Sequence, residues 1–390
     1  MKTLTVKKGH DERLLRGHPW IFSNEVAESP RVFRAGEIVH VIASRGATLG
    51  TAYVNPRSLI LARLVANDRV EVDAEFFRER IAAALARRER LIPGLSSYRL
   101  IYSEGDRLSG LIVDRFEDQL VVQTHTLGMD MRLEMIRDAL VEVVRPRAII
   151  ERNEAYARTL EGLEPRTGVI FGETDGHASV DEEGTHIAID LLHGQKTGYY
   201  FDQRVNRTML RGLVDGRRVL DLFCYVGSWS LAALRYGARE TLGIDSSGSA
   251  IAHASANAER AGAAGKARWE ESDVENALDR LALAGDRFGV VVIDPPAYVK
   301  SRKKLFAGIR KYRIVNQKAI ALIERGGFLV TSSCSYHAST EEFLGAIAEA
   351  AQKAGRRAEL VRTGTMPADH PIPVGMREAD YLKCFVLEIL

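Results

Sequence analysis

The chain has 390 residues, 46% of them hydrophobic and 27% charged, with a formal net charge of +2. That length exceeds a usual single domain and supplies apolar material for at least one large core, so two or three globular domains are expected. The near-neutral charge excludes a whole-molecule field of the kind that announces a nucleic-acid binder. No apolar run reaches the roughly 18 residues of a membrane-spanning helix, and none follows Lys2, Lys7 and Lys8 as in a signal peptide. Cys224, Cys334 and Cys384 are widely spaced without a CxxC or histidine pattern. No metal site is therefore expected, and the cysteines read as reduced thiols of a cytoplasmic protein with no membrane partner.

In chain order, the first 70 residues carry short β-rich runs at Thr3–Val6, Ile38–Ile42, Thr48–Val54 and Leu59–Leu64. Turn signals at Gly36, Arg45-Gly46 and Asn55-Pro56 divide them, a pattern that predicts a small β-barrel. A helix follows over Asp73–Leu91, with Phe77, Ile81, Ala84 and Leu85 on one face and Pro93-Gly94 as its stop. Strands are then expected at Arg99–Tyr102, Gly110–Val113 and Leu120–Thr124, a helix over Asp130–Val144, and strands at Ala148–Glu151 and Ile187–Leu191. This strand-strand-strand-helix-strand order implies a central α+β domain.

From Asp215 the pattern becomes strand–helix alternation. Strands are expected at Arg218–Leu222, Glu240–Ile244, Gly289–Ile293 and Phe328–Ser332, with Leu382–Glu388 as the last. Helices over Ser228–Arg235, Ser249–Ala261, Ile309–Ile323 and Thr340–Ala354 lie between them. Such spacing builds an α/β doubly wound sheet, Rossmann-like, with its ligand site at the carboxyl ends of the strands.

Three candidate ligand points each follow a strand. The loop Asp221–Gly227, with Phe223 and Tyr225 inside it, opens a helix at Gly227, where a glycine allows close backbone approach. It is not GxGxxG, which argues against a dinucleotide. Asp245, with Ser246 beside it, suits two ribose hydroxyls; its plainer reading is a helix cap, for which Ser246 or Ser247 serves as well. Asp273 suits an adenine amino group, or else caps a helix. Together these positions resemble the class I S-adenosylmethionine methyltransferase pattern. The stretch Val291–Tyr298 adds Asp294-Pro295-Pro296, in which consecutive prolines end the strand in a stiff turn and fix the orientation of Asp294.

Cys334 closes the next strand. Isolated cysteines are mostly small buried residues, but carbon 5 of cytosine is too weak a nucleophile to take a methyl group unaided. A thiolate added at carbon 6 turns carbon 5 into an enamine-like centre, with a carboxyl group such as Asp294 handling the proton at N3. Seven of the fourteen residues from Lys300 to Arg313 are Lys or Arg and none is acidic. Lys300, Arg302, Lys303, Lys304, Arg310 and Lys311 are thus candidate RNA contacts, or simply a solvated face, and the first of them are expected near the thiol.

The ordered motifs resemble the bacterial ribosomal RNA large-subunit methyltransferase I family of cytosine-C5 methyltransferases across essentially the whole chain. They are Gly17-His18-Pro19-Trp20-Ile21-Phe22, the stretches from Gly110 to Arg115 and from Glu164 to Gly168, and Gly194 to Arg204 (GQKTGYYFDQR). Asp294-Pro295-Pro296, Ser333-Cys334-Ser335, Asp369-His370-Pro371 and Tyr381-Leu382-Lys383 complete the set. The resemblance implies an RNA-binding PUA domain (1–70), a central α+β domain (71–190) and a Rossmann-like methyltransferase domain (191–390). It further implies that Gln195, Lys196, Thr197 and Arg204 help enclose S-adenosyl-L-methionine together with Asp221, Asp294 and Pro295, that Cys334 is the nucleophile, and that ribosomal RNA is the partner. A homodimer is the oligomer it suggests. Cys384 and Ala297 depart from the family pattern while keeping a small side chain, and the Asp-Pro motif carries no second cysteine, as in this subgroup. Two other readings stay open: methylation of a base amino group, which needs no cysteine, and a non-catalytic RNA-binding factor that keeps the fold.

Overall fold

A computed structural model describes residues 1–390. The chain divides into two compact units, each interrupted in sequence: Met1–Val180, Ile189–Phe201 and Ala368–Ala379 form the first, and Asp181–Ala188, Asp202–Pro367 and Asp380–Leu390 the second.

The first unit opens with β1 (Lys2–Val6), α1 (Glu12–Leu15), β2 (Trp20–Ile21), β3 (Ile38–Ala43), β4 (Thr48–Val54) and β5 (Ala62–Ala66), joined in one sheet of order β1-β3-β4-β5-β2. Alternate residues of β1 and β3 point inward, so Leu4, Val6, Val39 and Val41 meet Ile21, Ala52 and Val54 in a small apolar core. The strand expected at Leu59–Leu64 begins later. The Asn55 side chain accepts the Arg57 N–H and the Asn55 N–H donates to Leu61, which holds residues 55–61 in a turn and leaves Leu59 exposed.

Next, α2 (Ala74–Leu91) is capped by Asp73, whose carboxylate accepts the Phe76 N–H at 3.0 Å. Its buried face carries Phe76, Phe77, Ile81 and Ala84, and one turn on Arg88, wholly buried. A guanidinium is tolerated there because Asp106 takes it at 2.6 and 2.8 Å and two carbonyls, of Arg99 and Asp369, complete its bonds. The helix packs on β6 (Ser97–Tyr102), β7 (Leu111–Phe116) and β8 (Gln119–Thr124). After α3 (Leu127–Asp130) and α4 (Leu133–Val144) come β9 (Ala148–Asn153), α5 (Ala157–Leu160) and β10 (Arg166–Gly172), giving a sheet of order β10-β9-β8-β7-β6. The helix expected from Asp130 to Val144 is thus two pieces, since the Asp130 carboxylate turns back to Thr124, Arg158 and Arg166.

Ile187–Leu191 does not close this sheet. The fifth strand is β10, an edge strand whose two glycines and exposed side chains hid it in the sequence. Instead β11 (His177–Glu182) and β12 (Thr185–Asp190) pair as a separate hairpin, along which the chain passes between its two units.

In the second unit, α6 (Arg204–Arg207) precedes β13 (Arg218–Leu222), α7 (Ser228–Arg235), β14 (Glu240–Asp245), α8 (Gly248–Arg260), β15 (Ala267–Glu271), α9 (Val274–Leu283) and β16 (Phe288–Ile293). The chain continues through α10 (Leu305–Ala321), β17 (Ile323–Ser333), α11 (Thr340–Lys353), β18 (Ala358–Thr363) and β19 (Lys383–Ile389). The sheet runs β15-β14-β13-β16-β17-β19-β18. Its first five strands are parallel, while β19 enters antiparallel between β17 and β18. The Rossmann-like doubly wound expectation holds, with this antiparallel strand as the refinement. The pairing Ser333↔Lys383 puts the start of β19 beside the end of β17. β16, wholly buried, reads as a continuous apolar run, as a central parallel strand must. The polar edge strands β15 and β18 and the helix α9 carried no comparable signal.

Candidate active site

Three carboxylates stand at the carboxyl ends of the adjacent strands β14, β13 and β16. Asp221 is fully buried; its Oδ2 accepts the Ser230 backbone N–H at 3.0 Å and hydroxyl at 2.7 Å, and its buried Oδ1 has no hydrogen-bond partner. Burial pushes its carboxyl up to about 7 against the Ser230 bonds, with the charges of Asp294 and Asp245 adding to the rise. Asp245 accepts the Tyr225 N–H on Oδ2 and the Ser247 N–H on Oδ1, each at 3.0 Å. The cap of α8 is Ser247, whose hydroxyl accepts the Ala250 N–H, so Asp245 is not spent as a cap. Ser246 beside it is exposed.

The loop between β13 and α7 gathers left-handed backbone: Phe223 at φ +63°, Tyr225 at +49° and Gly227 at +84°. Two non-glycine residues in that region within one loop mark stored strain of the kind that collects at ligand sites. Gly227 also meets a packing demand. A Cβ there would sit 2.5 Å from the Trp269 ring, so the glycine admits an indole as well as a positive φ. Asp273 caps α9, its Oδ1 accepting the N–H groups of Glu275 and Asn276.

Asp294 is gripped on both oxygens. Gln203 Nε2 donates to Oδ1 at 2.9 Å and Trp229 Nε1 to Oδ2 at 3.1 Å, while Gln203 also reaches Ser332 Oγ at 3.0 Å and is itself held by Asn206. Burial raises the Asp294 carboxyl; the Trp229 and Gln203 bonds oppose the rise, and the nearby Asp202 charge adds to it. The next residue, Pro295, offers its carbonyl oxygen 3.8 Å from Cys334 Sγ. The Asp-Pro-Pro turn therefore lies against the cysteine through its main chain.

Cys334 follows β17 and alone among the three thiols is partly exposed; Cys224 and Cys384 are 4% and 0% exposed, and burial raises both of their pKa values, that of Cys384 to about 12. Its neighbours are pinned. The Tyr312 hydroxyl lies 2.9 Å from both Ser333 Oγ and Ser335 Oγ, and Ser335 Oγ accepts the Val299 N–H at 3.0 Å, which ties the cysteine turn to the Asp-Pro-Pro turn. Lys383 Nζ donates to the Ser335 and Tyr381 carbonyls, each at 3.1 Å. The Tyr298 ring packs against Tyr312 with centroids 4.7 Å apart.

The remaining expected residues are dispersed. Gln195, Lys196 and Thr197 belong to the first unit. There Thr197, buried, donates to Asp114 at 2.6 Å, Gln195 accepts the Tyr200 hydroxyl at 2.9 Å, and the Lys196 ammonium lies 4.3 Å over the Tyr200 ring. Arg204, in the second unit, stands 3.9 Å from Glu182. Lys300, Arg302, Lys303, Lys304, Arg310 and Lys311 are all exposed, and Lys311 also lies 4.7 Å from the centre of the Tyr298 ring and 4.0 Å from Glu275. The cation bonded to the cysteine turn is Lys383 rather than one of the Lys300 group. Gln203, Trp229, Tyr312, Ser333, Ser335 and Lys383 were not singled out from the sequence. Four of them lie inside the matching stretches, in Gly194–Arg204, Ser333–Ser335 and Tyr381–Lys383, whereas Trp229 and Tyr312 carried only a helical apolar signal.

Comparison with known proteins bears on this arrangement. A family profile described as a PUA-like domain matches residues 4–67, and one described as an S-adenosylmethionine-dependent methyltransferase matches residues 166–371. A protein of Tolumonas auensis named ribosomal RNA large subunit methyltransferase I is 37% identical, with 100% of this chain and 99% of that protein covered. One of the same name from Klebsiella pneumoniae is 36% identical over 99% of this chain and 98% of its own. Two solved structures share the fold at 20% identity over the full length of both chains: a Streptococcus mutans protein described as a SAM-dependent methyltransferase (TM-score 0.86) and SMU.776, described as a methyltransferase complexed with SAH (TM-score 0.87). The residues fit such a cofactor. Three carboxylates side by side, one with an orphaned buried oxygen, suit a ligand that carries ammonium and sulfonium charge and ribose hydroxyls.

Proposed function

The chain belongs to the ribosomal RNA large subunit methyltransferase I family of S-adenosylmethionine-dependent methyltransferases, and from that premise we propose that it forms 5-methylcytidine in large-subunit ribosomal RNA through a covalent bond from Cys334 to carbon 6 of the target cytosine. The observation that carries this reading is the meeting of the one partly exposed thiol with the Asp294-Pro295 turn, Sγ to carbonyl 3.8 Å.

In the proposed sequence the target base leaves its stack, because neither its face nor its edge is reachable within a helix. The Cys334 thiolate forms the sulfur–carbon 6 bond, and the electron pair of the ring moves toward N3. A carboxyl raised by burial holds its proton longer, so Asp294, oriented by Gln203 and Trp229, donates that proton at N3. S-adenosyl-L-methionine, when bound, supplies an electrophilic methyl group, and Asp245, Asp221, Ser246, Asp273, Pro295, Arg204 and the Phe223–Gly227 loop are the residues of the second unit that we assign to holding it. Carbon 5, made enamine-like by the addition, takes that methyl group as the methyl's bond to the sulfonium sulfur breaks; a water molecule acting as base removes the carbon 5 proton, the sulfur–carbon 6 bond breaks to free the Cys334 thiolate, and the N3 proton returns to Asp294. The exposed Lys300, Arg302, Lys303, Lys304 and Arg310, with Lys311, are assigned to RNA phosphates, contacts that position without specifying sequence; the PUA-like domain is assigned the same partner.

The test is nucleoside analysis of ribosomal RNA treated with wild-type and Cys334→Ala enzyme. The variant is expected to lose 5-methylcytidine formation by a factor on the order of 10³ or more. Unimpaired 5-methylcytidine formation by Cys334→Ala overturns the reading.

A further inference from the structure

No sequence motif connects Lys383 with catalysis by its spacing, yet the fold brings it onto both flanks of Cys334. In the antiparallel ladder its direct partner is Ser333, the residue before the cysteine. Its Nζ donates to the carbonyl of Ser335, the residue after it, and to the carbonyl of Tyr381, each at 3.1 Å. Backbone pairing on one side and the ammonium on the other thus hold both flanks of the cysteine, and the ammonium spends two of its three N–H groups on backbone oxygens. We propose that Lys383 is the positioning residue of the nucleophile, fixing the Cys334 turn and stabilising the Cys334 thiolate by its charge. The proposal rests on the reading of Cys334 as nucleophile.

The setting favours this role. Lys383 is partly buried, so its field is less screened than that of the exposed cations at 300–304. Titratable groups that face the pair include Tyr312 from α10 and Tyr298 from the Asp-Pro-Pro turn, both held neutral by raised pKa values, and on the lysine side Asp380 and Glu342. Lys383 is a cation bonded directly to the turn, at the Ser335 carbonyl. Burial lowers the lysine, and the charges of Asp380, Cys334 and Glu342 hold it up, so thiolate and ammonium support one another.

The experiment is the pH dependence of Cys334 alkylation by iodoacetamide in the full-length protein, read at the Cys334 peptide by mass spectrometry; the buried Cys224 and Cys384 do not compete. Lys383→Gln keeps donors for the carbonyls but removes the charge, and is expected to raise the alkylation midpoint by about one pH unit, about tenfold slower alkylation near neutrality. Lys383→Arg, which keeps the charge, is expected to hold the midpoint near the wild-type value, with a matching shift in the pH profile of methyl transfer only for the glutamine variant. A midpoint unchanged in Lys383→Gln, or displaced equally in both variants, overturns the proposal. Because alkylation needs no RNA, this result stands apart from the Cys334→Ala test: loss of the nucleophile reading appears there, and loss of the lysine's role appears here.

Discussion

Asp221, fully buried at the end of β13, ties stability to pH. Its native carboxyl keeps a proton to about pH 7, whereas the unfolded chain releases it near the ordinary Asp value. Between those limits the native state binds more protons, so the stability contributed falls as pH rises and is lowest above 7. Asp221→Asn removes that titration. Thermal melts at pH 5 and pH 8 are expected to show a larger loss of Tm on raising the pH for wild type than for the variant. Equal losses would mean that the buried carboxyl is not the group that titrates. A cationic ligand beside the carboxylate reverses the cost, which is the physical sense of placing three acids on one sheet edge.

Among the elements, the β13–α7 loop gathers left-handed backbone, while α11 begins with a side-chain capping box. Gly227→Ala forces a Cβ toward Trp269 at a φ of +84° and is expected to cost on the order of 2–4 kcal/mol in denaturant unfolding. Ser339→Ala breaks the capping box of α11 with Glu342 and is expected to cost about 1 kcal/mol. A smaller loss for the glycine than for the cap contradicts the packing argument. The long amphipathic helices and the apolar strands β13, β16 and β17 were legible because period and burial coincide there. Strands β10, β15 and β18 were not, since exposed edges carry polar residues and glycine. The places of Cys334 and Asp294, each just after a strand, were legible because the apolar strands β17 and β16 precede them. Lys383 and Tyr312 act on the cysteine turn only across the β17–β19 register or from a packed helix, and a linear reading has no access to either.

For the molecule as a whole, a net charge of +2 leaves little general attraction to RNA, so recognition falls to local features. Arg302, Lys303 and Lys304 form an exposed cationic turn just before α10 in the second unit, which also holds Cys334. At the N-terminus several cations are already engaged, Arg13 by Glu25 at 2.7 Å and Lys2 by Glu37 at 3.2 Å. No helix is long and apolar enough to cross a membrane. The reaction itself is tested most directly by incubating the full-length protein and S-adenosyl-L-methionine with ribosomal RNA containing 5-fluorocytidine, then mapping any protein–RNA adduct by mass spectrometry. Fluorine cannot leave carbon 5 as a proton does, so the expected result is a stable adduct at Cys334 that carries the transferred methyl group. Methylated RNA without an adduct would contradict cysteine catalysis and point to methylation of a base amino group.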